Sequence, residues 1–136
     1  MNRMKMLLNL CIFCAFTVQA QLVVNVSQPR ISGQKAVVSL SMKNEFSQKI
    51  ESARAVVFLL DKQGKMVAQS TKWVIGGTQD KPGLAPAATN SFFFVVSSDK
   101  PFPGTNLTAK VNFSRLVLEG GKLGDPIKNV TISTGK

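Results

Sequence analysis

Few of the side chains that carry out enzymatic chemistry are present after position 20. The stretch 21–136 contains no histidine, cysteine or tyrosine. A Ser-His-Asp triad and a Cys-His pair both depend on an imidazole base, so they are excluded from this stretch. A zinc site would have to be built from carboxylates alone, whereas protein zinc sites usually use cysteine or histidine.

The chain has seven carboxylates that could act as acids, bases or ligands: Glu45, Glu51, Asp61, Asp80, Asp99, Glu119 and Asp125. Most of them fall in predicted turns, whereas a glycosidase needs two acids that face each other across a cleft. A Ser-Lys dyad stays open, because serine and lysine are frequent and meet in the stretch SSDK at 97–100. We expect a non-enzymatic protein without a cofactor or metal. A hydrolase with unusual catalytic residues is an alternative.

The charge is strongly basic, with 17 Lys and Arg against 7 Asp and Glu, a net charge of +10. Arg3 and Lys5 lie in the first twenty residues, and the stretch 21–136 without them has 15 positive residues against 7 negative ones, a net charge of +8. Scattered lysines are typical of a solvated surface. The alternative is an anionic partner, such as an envelope polysaccharide, lipid headgroups or a nucleic acid. A nucleic-acid site would interleave aromatic residues with Arg or Lys, and no such motif is present.

Residues 1–20 have the pattern of a signal peptide. Arg3 and Lys5 precede an apolar run, and small Ala20 marks a cleavage point before Gln21. The apolar run is too short to span a bilayer comfortably, so we expect no membrane span after cleavage. Both cysteines, Cys11 and Cys14, lie in this segment. The sequence therefore predicts an exported protein, periplasmic or extracellular, whose mature part has no disulfide.

Turn residues recur about every ten positions from 21 to 136, and the segments between them alternate in polarity. In one of these segments Ala36, Val38, Leu40 and Met42 share a face, which is the period of a half-buried strand. This pattern predicts an all-β sandwich with little helix. The seven predicted strands are 22–27, 35–43, 49–61, 65–75, 89–98, 106–121 and 125–133.

The strand at 106–121 changes phase within its length. Leu107 to Phe113 alternate on one face, but Leu116 and Leu118 are out of step with them. One extra residue restores the pattern, so we predict a β-bulge at Ser114 or Arg115.

The stretch DKQG at 61–64 separates two apolar runs. Asp61 can cap the turn backbone, and Gly64 can adopt the positive φ that closes such hairpins. A phosphate-binding loop would need further glycines, a Lys-Ser or Lys-Thr pair and a helix, none of which follows. We therefore predict a β-hairpin with a structural turn at Asp61 and Gly64.

The hairpin and the segment after it resemble the small exported FxLYD-like and DUF3426-like domains of bacteria. Leu60-Asp61, Gly64-Lys65 and Val67 match the hairpin motif of those domains, and Leu84, Pro86 and Phe92 match their next element. Leu60 stands where an aromatic residue is usual, and Ala87 stands where a glycine follows the proline. The resemblance covers about 37–113. It implies a single immunoglobulin-like antiparallel sandwich of about seven strands in an envelope protein, with no catalytic residues.

Two apolar strands, AVVFLL at 55–60 and SFFFVV at 91–96, have no polar face. Two-sided burial of central strands produces this pattern. The alternative is an exposed partner-binding patch formed by Phe58, Leu60, Phe93 and Val95. We expect the protein to act through contact with another protein, as an accessory envelope or secreted module.

The alternative function is lysine-mediated binding of an anionic polymer. In an immunoglobulin-like order, alternate connections lie at the same end of the sandwich. The first, third and fifth would carry Arg30, Lys35, Lys62, Lys65 and Lys100 against Asp61 and Asp99, a net charge of +3. The opposite end would carry Lys43, Lys49, Lys81 and Lys122 against five acids, a net charge of −1. Any polyanion contact is therefore predicted at the hairpin end.

Overall fold

The computed structural model of the protein describes residues 21–104 and 106–135, and the predicted signal peptide lies outside these residues. The described residues form nine strands and one three-residue 3-10 turn at Glu119–Gly121. The all-β prediction is confirmed. The strands are β1 Leu22–Val26, β2 Arg30–Ser32, β3 Lys35–Asn44, β4 Ile50–Leu60, β5 Met66–Ile75, β6 Thr89–Ser97, β7 Thr108–Leu118, β8 Lys122–Leu123 and β9 Val130–Thr134.

The strands form two sheets that pack against each other as a β-sandwich. In the first sheet β3 pairs along one edge with β1 and β2 and along the other with β6, and β9 pairs with β1. The second sheet has the order β5-β4-β7-β8. All of these pairs are antiparallel except β1 with β9, which is parallel.

The core lies between the sheets and follows the alternation of the sequence. Ala36, Val38, Leu40 and Met42 of β3 are all fully buried. Ala53, Ala55, Val57 and Leu59 of β4 face them from the second sheet and are also fully buried. Each buried Val or Leu side chain contributes about 1.5–3 kcal/mol through removal of apolar surface from water, so the alternation holds each strand in one register.

The predicted bulge in β7 is confirmed at Ser114. Arg115 pairs with Arg54, and Phe113 pairs with the next residue of β4, Ala55. Ser114 is therefore the extra residue. Because of it, Phe113 before the bulge and Leu116 after it both point into the core. Both of these side chains are buried.

The two apolar strands differ in position. β4 is central, with β5 and β7 on its two edges, as two-sided burial predicts. For β6 that prediction is wrong, because among the described strands β6 pairs with β3 alone. Its outward residue Phe93 is 64% exposed, so burial on both faces does not explain the apolar sequence of this edge strand.

Candidate binding surfaces

The hairpin between β4 and β5 is closed by backbone and carboxylate hydrogen bonds. The Asp61 carboxylate accepts hydrogen bonds from the backbone N–H of Gln63 and of Lys65, both at 2.9 Å. The N–H of Gly64 donates to the carbonyl of Asp61 at 3.0 Å, and Gly64 has a φ of 80°. Asp61 therefore caps the turn, and Gly64 supplies its left-handed residue.

Three connections meet at the hairpin end of the sandwich. The turn between β2 and β3 accepts hydrogen bonds from the connection between β6 and β7, from Ser98 N to Gln34 O at 2.9 Å and from Phe102 N to Gly33 O at 3.0 Å. The same connection borders the hairpin around a shallow depression of about 220 Å³, lined by Asp61, Lys62, Gln63, Pro103, Gly104, Asn106 and Leu107. Lys35, Lys62, Lys65 and Lys100 all lie on these three elements or at their ends.

The four apolar residues predicted to face a partner lie on two different surfaces. Phe58 and Leu60 are half-buried on the outer face of the second sheet. Phe93 and Val95 lie on the outer face of the first sheet, which points in the opposite direction. Arg30 also lies on this face, beside Phe93 in a depression of about 440 Å³. The structure therefore separates Arg30 from the hairpin tip and does not join the four apolar side chains into one patch.

The side of the sandwich formed by β5 and β6 is closed by two lysines. Lys72 Nζ donates to the carbonyl of Val95 at 2.6 Å and lies 5.2 Å from the centre of the Phe94 ring. Lys81 Nζ donates to the carbonyl of Trp73 at 2.8 Å and lies 4.7 Å from the centre of the Phe92 ring. Through these hydrogen bonds and cation–π contacts, the two lysines join the edge strand β5 of one sheet to the edge strand β6 of the other.

The opposite side, between β7 and β9, is open. Within the described residues, β8 and Gly124 cover only Leu116–Leu118 on the outer edge of β7. Among the described strands, none therefore neighbours the edge of β7 at 108–115, and β9 pairs with β1 alone. The gap between them is a groove of about 480 Å³, which we call the lateral groove. It is lined by Asn112, Phe113, Pro126, Ile127, Val130 and Ile132.

The lateral groove concentrates exposed apolar side chains. Among the described residues, five large apolar side chains are exposed, and two of them line this groove: Ile127 is 83% exposed and Ile132 36%. A third, Leu123, is 64% exposed and lies outside the lining. Ile132 pairs with the fully buried Val24 and so lies on the inner face of the first sheet. Its exposure shows that the inner face reaches solvent on this side.

A compact turn forms one wall of the groove. The Asp125 carboxylate accepts hydrogen bonds from the N–H of Ile127 at 2.9 Å and of Lys128 at 3.0 Å. The hydrogen bond from Lys128 and then that from Ile127 lower the pKa of Asp125, because they favour the ionised form. Asn129 Oδ1 accepts from the N–H of Asp125 at 2.9 Å. The turn holds Ile127 outward at the mouth of the groove.

The polarity pattern predicted one strand over 125–133 and no turn. That assignment is wrong for its first half, since β9 begins at Val130. The pair Asp125-Pro126 was the available signal, because Asp followed by Pro favours turn initiation.

The described part of the chain shows neither a metal cluster nor a membrane-crossing helix. No three carboxylates within 21–104 and 106–135 come together to hold a metal ion. No helix in the same residues is long and apolar enough to cross a membrane.

Comparisons with known proteins support the fold only. No protein-family model matches the chain, and no curated protein matches it. A crystal structure of a Bordetella pertussis protein assigned as ApaA is similar, with a TM-score of 0.56 and 19% identity over 80% of this chain and 89% of that one. The structure of IrmA from Escherichia coli has a TM-score of 0.51 and 12% identity, over 84% of this chain and 92% of that one.

Proposed function

We propose that this protein is an exported, non-enzymatic binding module that takes an extended segment of a partner protein into the lateral groove. The observation that carries the proposal is the edge of β7 at 108–115, with which no described strand pairs, beside an apolar opening of the core. Strand addition to an exposed edge is a general mode of peptide recognition, in which main-chain hydrogen bonds provide affinity and side-chain pockets provide specificity.

The free edge of β7 lacks both proline and inward-pointing charged side chains, two features that commonly prevent strand addition. Edge strands are commonly protected by proline or by charged side chains that point inward. The inward residues of β7 before its bulge are Ala109, Val111 and Phe113, all buried and apolar. An added strand would gain about 1 kcal/mol for each main-chain hydrogen bond, in addition to the burial of Ile127 and Ile132.

A random peptide library panned against the protein tests this function. Selected peptides should protect backbone amides of 108–115 from hydrogen exchange, because new strand pairing would occupy them. Ile127→Asp should abolish their binding. Met66→Asp is the matched control, since Met66 is also exposed but lies outside the groove. Protection that maps to another surface, or binding that survives Ile127→Asp, would contradict the proposal.

Export is supported by the signal-like residues 1–20 and by the hairpin resemblance to exported envelope domains. Intact mass measurement of protein expressed from the full sequence in bacteria should give a chain that begins at Gln21, recovered outside the cytoplasm. A full-length chain in the cytoplasm would exclude export.

A second candidate function is the binding of an anionic polymer at the hairpin end, favoured by the meeting of three connections that carry Lys35, Lys62, Lys65 and Lys100. Charge gathered at one end raises the local potential more than dispersed charge does. Changing Lys62 and Lys65 to Glu should then weaken retention on heparin much more than the same changes at Lys43 and Lys122. Equal losses from the two pairs would indicate a solvated surface without a docking site.

A further inference from the structure

The two faces of β7 have different chemistry up to its bulge. Ala109, Val111 and Phe113 point into the core, and Lys110 and Asn112 point to solvent. A strand added to this edge would continue the second sheet, so its side chains would alternate in the same phase. The regular part of the edge, 108–113, accommodates about six residues of an added strand, or about 20 Å.

The outer face beside this edge is positive. Lys110 and Arg115 project from β7, and Arg54 of β4 lies opposite Arg115. Like charges in directly opposed cross-strand positions destabilise a sheet. β5 and β7 contain no acidic residue. The only acid of β4, Glu51, accepts a hydrogen bond from Gly120 N at 3.1 Å, at the far end of the strand.

Arg54 is held in place by contacts that include no acidic partner among the described residues. Its guanidinium lies 5.3 Å from the centre of the Trp73 ring, and its Nε donates to Ser114 Oγ at 3.0 Å. Arg54 therefore stays close to the bulge from which Arg115 projects. Carboxylates on a neighbouring strand would reduce the repulsion between the two arginines.

We infer that the lateral groove selects a strand in which apolar and acidic residues alternate. This inference rests on the proposed function and names its ligand. The apolar residues enter the opening between Phe113, Ile127 and Ile132, and the acidic residues lie beside Lys110 and Arg115. A second copy of this chain is a poor occupant, because pairing two β7 edges would oppose their basic residues and β9 has no acid.

Three six-residue peptides test the inference: valine alternating with glutamate, with threonine and with lysine. Fluorescence anisotropy with the mature protein should show the glutamate peptide binding about tenfold more tightly than the threonine peptide, because its carboxylates can form exposed ion pairs with the basic side chains of β7. The lysine peptide should bind most weakly. Added salt should narrow these differences.

Two controls separate strand pairing from attraction to a basic surface. The double variant Lys110→Glu with Arg115→Glu should reverse the preference to the lysine peptide, whereas Lys43→Glu with Lys122→Glu should leave the order unchanged. N-methylation of the glutamate peptide on its pairing edge should abolish binding. Glutamate-peptide binding that survives both N-methylation and Ile127→Asp would be surface attraction and would overturn the inference.

The other outcomes distinguish this inference from the proposed function. Equal binding of the three peptides, lost with Ile127→Asp, would overturn the acidic preference and leave strand addition standing. Absence of binding by all three, together with library peptides that map elsewhere, would overturn both. Self-association that competes with the peptides would assign the edge to a second copy and overturn the acidic preference.

Discussion

Lys72 Nζ donates a 2.6 Å hydrogen bond to the carbonyl of Val95, and this contact joins the edge of one sheet to the edge of the other. The opposite side of the sandwich has no such bridge among the described residues and opens as the lateral groove. The two sides of the molecule are thus unequal, with one closed by lysines and the other lined by apolar side chains. This asymmetry is the reason that the proposed strand addition is placed on the side of β7 and β9.

The bridge itself can be tested by Lys72→Met, which keeps the aliphatic stem and removes the ammonium. We expect the free energy of unfolding to fall by about 1–2 kcal/mol, because hydrogen bonds to charged groups are among the stronger ones. Lys110→Met is the control at an exposed position of β7 and should change stability by less than about 0.5 kcal/mol. Urea denaturation measures both, and equal effects would show that the bridge adds no stability.

The turn of the hairpin between β4 and β5 should require glycine at position 64. Gly64 has a φ of 80° and open space around its missing Cβ, so Gly64→Ala would be opposed by backbone conformation and not by a clash. The expected cost is about 1 kcal/mol. Gly104→Ala also meets no atom and has no positive φ, so it should leave stability unchanged or slightly raised. Equal melting temperatures for the two variants would argue against the turn.

At Ala87 we expect the opposite substitution, alanine to glycine, to stabilise the protein. It has a φ of 66°, in the left-handed region that an L-residue with a Cβ disfavours, and its N–H donates to the carbonyl of Asn44 at 2.8 Å. Ala87→Gly should raise the free energy of unfolding by up to about 1 kcal/mol. Ala85→Gly, at an exposed position of the same loop without a positive φ, should lower it by a similar amount. A melting temperature that falls equally in both variants would show that Ala87 is not strained.

Asn44 is a fully buried polar residue, the last of β3, at the end of the sandwich opposite the hairpin. Its Nδ2 donates to the carbonyls of Gln48 and Leu84, both at 2.9 Å, and its Oδ1 accepts from the N–H of Phe46 at 2.8 Å. Asn44→Ala should cost about 2–4 kcal/mol, since the Gln48 carbonyl and the Phe46 N–H lose their hydrogen bonds to this side chain, whereas the Leu84 carbonyl keeps the one from Ile50 N. Asn112→Ala, at an exposed strand position, should cost less than about 0.5 kcal/mol. A cost for Asn44→Ala as small as that would show that water replaces its hydrogen bonds.

Asp125 predicts a pH dependence. Backbone hydrogen bonds lower its pKa below the usual 3.8 in the folded protein. Its contribution is therefore present above pH 3.8 and is lost as the pH falls through the folded pKa. The melting temperature of Asp125→Ala should lie below that of the wild type at neutral pH and converge with it in strong acid. Asp80→Ala removes an exposed carboxylate outside this turn and is the control. A gap between Asp125→Ala and the wild type that persists in strong acid would contradict the assignment.

Much of the local structure could be predicted from residue order, because its causes act over short distances. The DKQG turn depends on neighbouring residues, and the buried faces of β3 and β4 follow a period of two. The bulge at Ser114 could also be located, since a single extra residue moves Leu116 and Leu118 out of phase with Phe113. The all-β class then followed from strands of this length and spacing.

The arrangement of the strands was decided only by tertiary structure. No local pattern shows that β6 is an edge strand or that β9 leaves the edge of β7 open to pair with β1. These choices depend on packing between residues about a hundred positions apart, as when Ile132 lies beside Val24. The same packing places Phe58 and Phe93 on opposite faces. The lateral groove exists because the chain crosses between sheets at Asp125–Asn129, and sequence periodicity carries no signal for that crossing.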